Sequence, residues 1–238
     1  MEEIRDIWVY LSASPLLHLT LTLAVFVLAS AIYRKARMTP LLNPVLLSVI
    51  VIVAILHGTQ TSYDTYFEGA QFVHFLLGPA TVALAVPLYR QFHRVKKSAL
   101  AISLSLLCGS ISSATSAVFI AWFLGADTIS LVSLAPKSVT TPVAMGISDE
   151  LGGLPSLTAV IVILTGMVGG MVGPAILDWL RIEDSSVRGF ALGTASHGLG
   201  TARALQIDEL AGAFSGLAMG LNALVTAAIL PILWKLFF

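Results

Sequence analysis

Two short stretches of this chain gather residue types suited to holding a small anion. The first is Pro136-Lys137-Ser138-Val139-Thr140-Thr141-Pro142. Pro142 lacks a backbone N–H and clashes with the preceding turn, and it biases Thr141 away from helical geometry. Carbonyls and amides released in this way become available to a ligand. Ser138, Thr140 and Thr141 add hydroxyls that donate or accept, and Lys137 adds a cation. The second stretch is Thr194-Ala195-Ser196-His197-Gly198-Leu199-Gly200-Thr201-Ala202-Arg203. Gly198 and Gly200 allow backbone to approach a ligand closely. Arg203 offers a planar fork that matches a carboxylate. His197 can donate or carry a proton, and Ser196 and Thr201 supply hydroxyls.

Each group has a plainer reading. Lys137 can snorkel to an interface from a short loop, and a lone His197 can be a satisfied packing histidine. A third polar group, Ser110 to Ser116 with hydroxyls at Ser112, Ser113 and Thr115, reads first as helix packing through small residues. Its alternative role is to line the site. The Asp149-Glu150 and Asp208-Glu209 pairs read as solvated helix N-termini favoured by the dipole. Catalysis is disfavoured, because Ser196 and His197 are chain neighbours and adjacency does not supply triad geometry. One cysteine, Cys108, gives neither a disulfide nor a thiolate metal site within the chain. No metal, cofactor or enzymatic activity is expected.

The composition sets where such groups must work. Hydrophobic residues make up 57% and charged residues 11% of the 238, and the mean hydropathy is +0.91. Soluble domains carry roughly 25% charged residues, so most of this surface faces a lipid bilayer. A net charge of zero gives no bulk attraction to nucleic acid. The acidic start, Met1-Glu2-Glu3, lacks the basic stretch of a secretory signal, so the first apolar run is expected to stay as a span.

A helix needs about 20 mainly apolar residues to cross the hydrocarbon. That length predicts full spans near 15–33, 41–57, 70–89, 98–124, 156–180 and 209–235. Two apolar segments, 128–150 and 187–206, are interrupted by Pro, Gly and charge. Broken backbone at membrane depth survives only against protein or a polar cavity, so both predict a site. The fold class is therefore an all-α polytopic membrane protein with about six full spans and two broken or re-entrant elements. The chain reads as a single transmembrane domain, with N-terminal helices over 15–97 and a core over 98–238.

The loops 34–39, 90–97 and 181–188 hold nine of the 13 Lys and Arg residues. The positive-inside rule makes them cytoplasmic and places the N-terminus outside. With that alternation, 128–150 dips in from outside and 187–206 from the cytoplasm. An internal repeat agrees. Thr141, Ile147 and Asp149-Glu150-Leu151 align with Thr201, Ile207 and Asp208-Glu209-Leu210, and each copy runs on into a span with a late proline, Pro174 or Pro231. The copies, 137–180 and 197–235, enter from opposite sides. Secondary transporters build midplane sites from such inverted pairs.

The stretches Pro136 to Pro142 and Ala195 to Arg203 resemble the signature segments of the LrgB/CidB family, in order, spacing and the Asp-Glu-Leu that follows each. The resemblance covers nearly the whole chain; 15–97 matches in hydropathy alone. It implies a multi-pass protein of the bacterial inner membrane with a smaller LrgA/CidA-type membrane partner. Family members in plant plastids move glycolate and glycerate. Bacterial ones are associated with pyruvate uptake and with holin-like control of murein hydrolases. Without an LrgA-like portion in these 238 residues, any activity that needs that part is expected to depend on the partner. The resulting expectation is a homo-oligomeric secondary transporter subunit for small carboxylates, with substrate held by Lys137, Ser138, Thr140, Thr141, Ser196, His197, Gly198, Gly200, Thr201 and Arg203. A holin-like membrane protein controlling murein hydrolase export and lysis is the alternative.

Overall fold

The computed structural model describes residues 15–36, 39, 42–83 and 85–237, and every regular element among them is helical. Arg37 and the acidic N-terminal residues lie outside the described residues. Among the described residues five stretches are long and apolar enough to cross a membrane: Pro15–Lys35, Tyr63–Arg90, Ala99–Phe123, Pro155–Trp179 and Glu209–Leu236. Side-chain distribution follows from lipid as solvent. Phe119, Trp122, Leu164, Val168 and Leu224 point outward, while Ser110, Ser138, Thr158, Thr194, Thr201, Asn222 and Thr226 are buried. Apolar surface costs nothing against hydrocarbon, and polar groups must find partners inside.

The chain forms two compact units, one ending at Ala83 and one beginning at Leu84. In the first, α1 (Pro15–Lys35) packs against α2 (Pro44–Thr59) and α3 (Tyr63–Phe75), and α4 (Leu77–Ala83) follows. Gly69 of α3 lies against the Pro15 carbonyl and the His18 Cβ, so the two helices touch backbone to backbone. Helix α2 is capped by Asn43, whose side chain accepts from the Val45 and Leu46 amides, and it ends at the left-handed Gln60. It has 16 residues, about 24 Å of helix, and so falls short of the full span expected over 41–57. The run expected at 70–89 starts earlier, capped by Ser62, and it is interrupted at Leu76.

The second unit contains α5 (Ala85–Arg90), α6 (Phe92–Lys97), α7 (Ala99–Phe123), α8 (Thr128–Leu134), α9 (Thr141–Glu150), α10 (Pro155–Trp179), α11 (Ser185–Ile207) and α12 (Glu209–Phe237). Helices α7 and α12 run in the same direction. Ser110 faces Thr226, and Ala114 shares a cluster with Leu230. Helix α10 runs the other way, since Val162 joins the Leu230 cluster and Leu177 packs with Ala211.

Helix α11 is two helices, because His197 has φ 43° and ψ −129° and breaks it. An unbroken helix of 23 residues would be about 35 Å long. Its two ends meet instead: the Ser185 hydroxyl donates to Asp208 Oδ2 at 2.6 Å. The entering half passes Ala211 with Gly189 and Ser215 with Gly193. The returning half passes Ser215 with Thr201 and Gly212 with Leu205. This is a re-entrant hairpin with its tip at His197.

Helices α8 and α9 form the matching hairpin around the irregular residues 135–140. Its second arm leads into the start of α10, where Thr158 donates to Ser148 at 2.8 Å and the Leu154 amide donates to Ser133 Oγ, next to the tip, at 2.8 Å. The second arm of one hairpin thus leads into α10 and that of the other into α12, and these helices are antiparallel. Each broken element is followed by a long helix containing a proline, Pro174 or Pro231.

Candidate functional site

The two hairpin tips meet on Asn222 of α12. Its Nδ2 donates to the Ser138 carbonyl and to the Thr194 carbonyl, each at 3.1 Å. Both carbonyls sit at the chain breaks, where helical partners are missing. A buried carbonyl without a donor costs about 1–3 kcal/mol. Asn222 is 1% exposed, and its amide relieves both. Its Oδ1 lies 3.5 Å from the Thr226 hydroxyl, which is 2.8 Å from Ser110.

Beside this junction stands Lys137, half-buried in the irregular tip of the first hairpin. Its Nζ donates to Ser113 Oγ at 3.1 Å and to Ser138 Oγ at 3.2 Å, and the two hydroxyls are 2.6 Å apart. Among the described residues no carboxylate pairs with Lys137; the ion pairs are Arg90–Glu209 and Arg188–Asp178. Lys137 is therefore a cation with neutral partners, positioned where an anion would complete its coordination. Ser113 takes the second of its two roles, joining the site rather than only packing helices.

A cavity of about 470 Å³ lies between α7 and the entering half of α11. It reaches from Ser98 and Ser186 inward to Ser113, Thr194 and Ala195.

The remaining expected site residues take other places. Thr140 is the N-cap residue of α9 and Thr141 its first residue, both half-buried near the tip. His197 turns away from the cavity into α10. Its Nε2 lies 2.9 Å from the Val162 carbonyl, an acceptor only, so the proton is on Nε2. The ring fills the space beside Gly166, where a Cβ would collide with it. Ser196 is fully buried against Gly169 with no hydrogen-bond partner among the described residues. Thr201 donates to the His197 carbonyl at 2.9 Å and meets Ser215 at 3.0 Å. Gly200 lies against the Leu192 carbonyl across the hairpin, and Gly198 is exposed at the tip. Arg203 sits on the returning half, half-buried, and donates to Gln206 at 3.1 Å. The structure thus joins Lys137 and Ser138 to Ser113 and Asn222, and puts the second motif's polar groups at the tip and in the packing against α10 and α12.

Sequence reasoning left out Asn222. The available signal was a lone amide in an otherwise apolar helix, since an amide at that depth must have its groups paired. It also left Thr194 outside the site, although it quoted the residue.

Arg90 and Arg188 of the second unit stand near its α12 start, opposite the end that carries Lys235. Arg90 pairs with Glu209 at 2.9 Å and Arg188 with Asp178 at 2.7 Å. Asp184 caps the entering half of α11, and the Ser186 hydroxyl holds its carboxyl below the usual carboxylate range, helped by the Val187 and Ser186 amides and Arg94.

The model of the LrgB-like family matches residues 22–236. A Bacillus subtilis protein described as uncharacterized protein YxaC is 42% identical over 91% of this chain and 94% of its own length. The holin-like protein CidB of a Staphylococcus epidermidis strain is 34% identical over 96% and 99%, and that of a Staphylococcus aureus strain 33% over 94% and 97%. No solved structure matches the chain.

Proposed function

The chain belongs to the LrgB-like family, and from that premise we propose that it is a secondary transporter subunit for small two- or three-carbon carboxylates such as glycolate, glycerate or pyruvate. The observation that carries the reading is the Lys137 ammonium, bonded among the described residues to the Ser113 and Ser138 hydroxyls where the two hairpin tips meet. A cation inside a membrane protein is costly unless it is paired, and a substrate carboxylate is the partner that this arrangement lacks. Ser138, Ser113 and Thr140 then read the substrate's hydroxyl or carbonyl oxygen. Arg203, on the returning half, is a second cation offered to the substrate. His197 and Thr201 hold the tip in shape.

The protein is a multi-pass membrane protein. We place it in the bacterial inner membrane with the basic end of its second unit cytoplasmic, beside a small LrgA/CidA-type partner. Two broken hairpins whose tips meet at one residue are the kind of arrangement that alternating access uses.

The names of the Staphylococcus relatives favour a second reading, a holin-like protein that alters membrane permeability. Saturation separates the two. Uptake of labelled glycolate, glycerate and pyruvate into proteoliposomes, with and without a partner of that type, is expected to saturate and to be lost in Lys137→Gln. Non-saturating flux that also passes an unrelated dye, unchanged in Lys137→Gln, would establish the hole instead.

A further inference from the structure

The cavity beside α7 takes no part in holding the hairpins together, yet its deep end lies at the Lys137 cluster. We propose that this cavity is the cytoplasmic half of the substrate path, a water-filled vestibule leading from the basic end of the second unit to Ser113. For what travels along it, the inference rests on the transporter reading; for the path itself it does not.

The wall is mixed: a line of hydroxyls runs through a lining that also includes Ile102, Val187, Phe190 and Phe214. Helix α7 contributes Ser105, Gly109 and Ser113, and Ser98 lies just before its first turn; these four are spaced 7, 4 and 4 residues apart along one helical face. Along the cavity the exposed Leu100, Leu104, Leu107 and Ile111 lie off that line, and Ile120 falls on the same face beyond Ser113. The entering half of α11 adds Ser186 and Thr194 opposite. Hydroxyls gain nothing against hydrocarbon but do hold water. A water occupies about 30 Å³ in the liquid, so about 470 Å³ holds a hydrated three-carbon acid.

The two ends fit an anion's route. At the mouth, Lys96 and Lys97 immediately precede Ser98, and Arg94 stands close enough to Asp184 to lower its carboxyl. Local positive charge raises the concentration of anions there. At the deep end Gly109 faces Thr194, and a Cβ on Gly109 would lie 3.2 Å from Thr194 Cγ2. Glycine lets α7 and α11 approach closely there, which makes this the narrow end of the cavity. One turn further in, Ser113 Oγ is 3.1 Å from Lys137 Nζ, so an anion that passes Gly109 arrives at the ammonium.

The test uses single cysteines at positions 105 and 104 in a full-length Cys108→Ala background, with an impermeant methanethiosulfonate reagent. Thiolates react and thiols do not, so a wet wall reacts faster than a lipid-facing one. In inside-out vesicles Ser105→Cys is expected to react at least about tenfold faster than Leu104→Cys. In right-side-out vesicles it stays protected. Modification at position 105 should stop uptake and a reductant should restore it, which shows that the fold survives. Gly109→Val should block uptake while a thiol at position 105 stays reactive. Equal rates at positions 104 and 105, or reaction at 105 only from the opposite face, would overturn the vestibule. Fast modification at position 105 in a protein that carries none of the carboxylates supports the path and removes only the cargo.

Discussion

Ser185 and Asp208 lie at opposite ends of α11, yet they share a 2.6 Å hydrogen bond. That bond closes the base of the second hairpin, and Asp208 also accepts from the Ala211 amide at 2.8 Å, which starts α12. A bond to an ionised acceptor contributes about 1.5–3 kcal/mol. Ser185→Ala and Asp208→Asn are each expected to lower the melting temperature, with strongly non-additive effects in the double variant. Additive effects would show that the two residues do not act as a pair.

The same end of the molecule is expected to be acid-sensitive. Burial pushes the Asp208 carboxyl up, but hydrogen bonds from Ser185, Ala211 and Leu210 together with Arg188 outweigh it, and the net direction is down. Asp184 is lowered chiefly by Ser186. A depressed carboxylate stabilises the fold above its unfolded pKa of about 3.9 and loses that contribution as pH falls through the folded value. Thermal denaturation in detergent should therefore show stability falling below about pH 4, less steeply in Asp208→Asn. An identical slope in that variant would remove Asp208 from the account.

Lys137 is expected to tolerate no neutral replacement. Loss of a charge-assisted contact worth about 1.5–3 kcal/mol corresponds to about a 10- to 100-fold fall in transport efficiency, at 1.4 kcal/mol per tenfold. Lys137→Gln should reach the membrane at normal levels, because two hydroxyls remain to be satisfied by the amide. Uptake at wild-type rates in Lys137→Gln would exclude an anion site there.

Asn222 is expected to matter for stability more than any other polar residue of α12. Asn222→Leu leaves the Ser138 and Thr194 carbonyls without their donor. At about 1–3 kcal/mol for each unsatisfied group, the loss is large for a chain of this size. Asn222→Asp is expected to be worse, since a carboxylate has no proton to offer either carbonyl. Wild-type melting for Asn222→Leu would show that water or rearrangement replaces the amide.

Two glycines in the second unit should respond oppositely to alanine. A Cβ at Gly193 would press into the Ser215 backbone, while Gly220 has nothing within 4 Å. Gly193→Ala is expected to destabilise by about 1–3 kcal/mol through overpacking, and Gly220→Ala to stabilise by up to about 1 kcal/mol through helix entropy. Similar shifts for both would mean that the close pass of the entering half against α12 is not required.

Orientation is testable apart from mechanism. With Cys108 replaced, a cysteine at position 94 is expected to resist an impermeant thiol reagent applied to intact cells, because the basic loops are cytoplasmic. Ready labelling from outside would invert the topology.

Composition determined the class of this protein, because 11% charged residues cannot cover a water-facing surface. Local sequence also located both chain breaks. Pro142 and its hydroxyl-rich approach mark one, and the Gly198 and Gly200 run marks the other, since backbone rules operate over a few residues. Where each side chain points was decided only in three dimensions. His197 and Arg203 stand in the same motif, but the reversal at His197 sends one ring into α10 and leaves the guanidinium on the returning half of the hairpin. Hydropathy made Ser113 and Asn222 look like minor blemishes in apolar helices. They became central because partners 24 and 84 residues away in the chain fold back onto them, and the cost of unpaired polar groups in a lipid-surrounded core fixes those distant pairings.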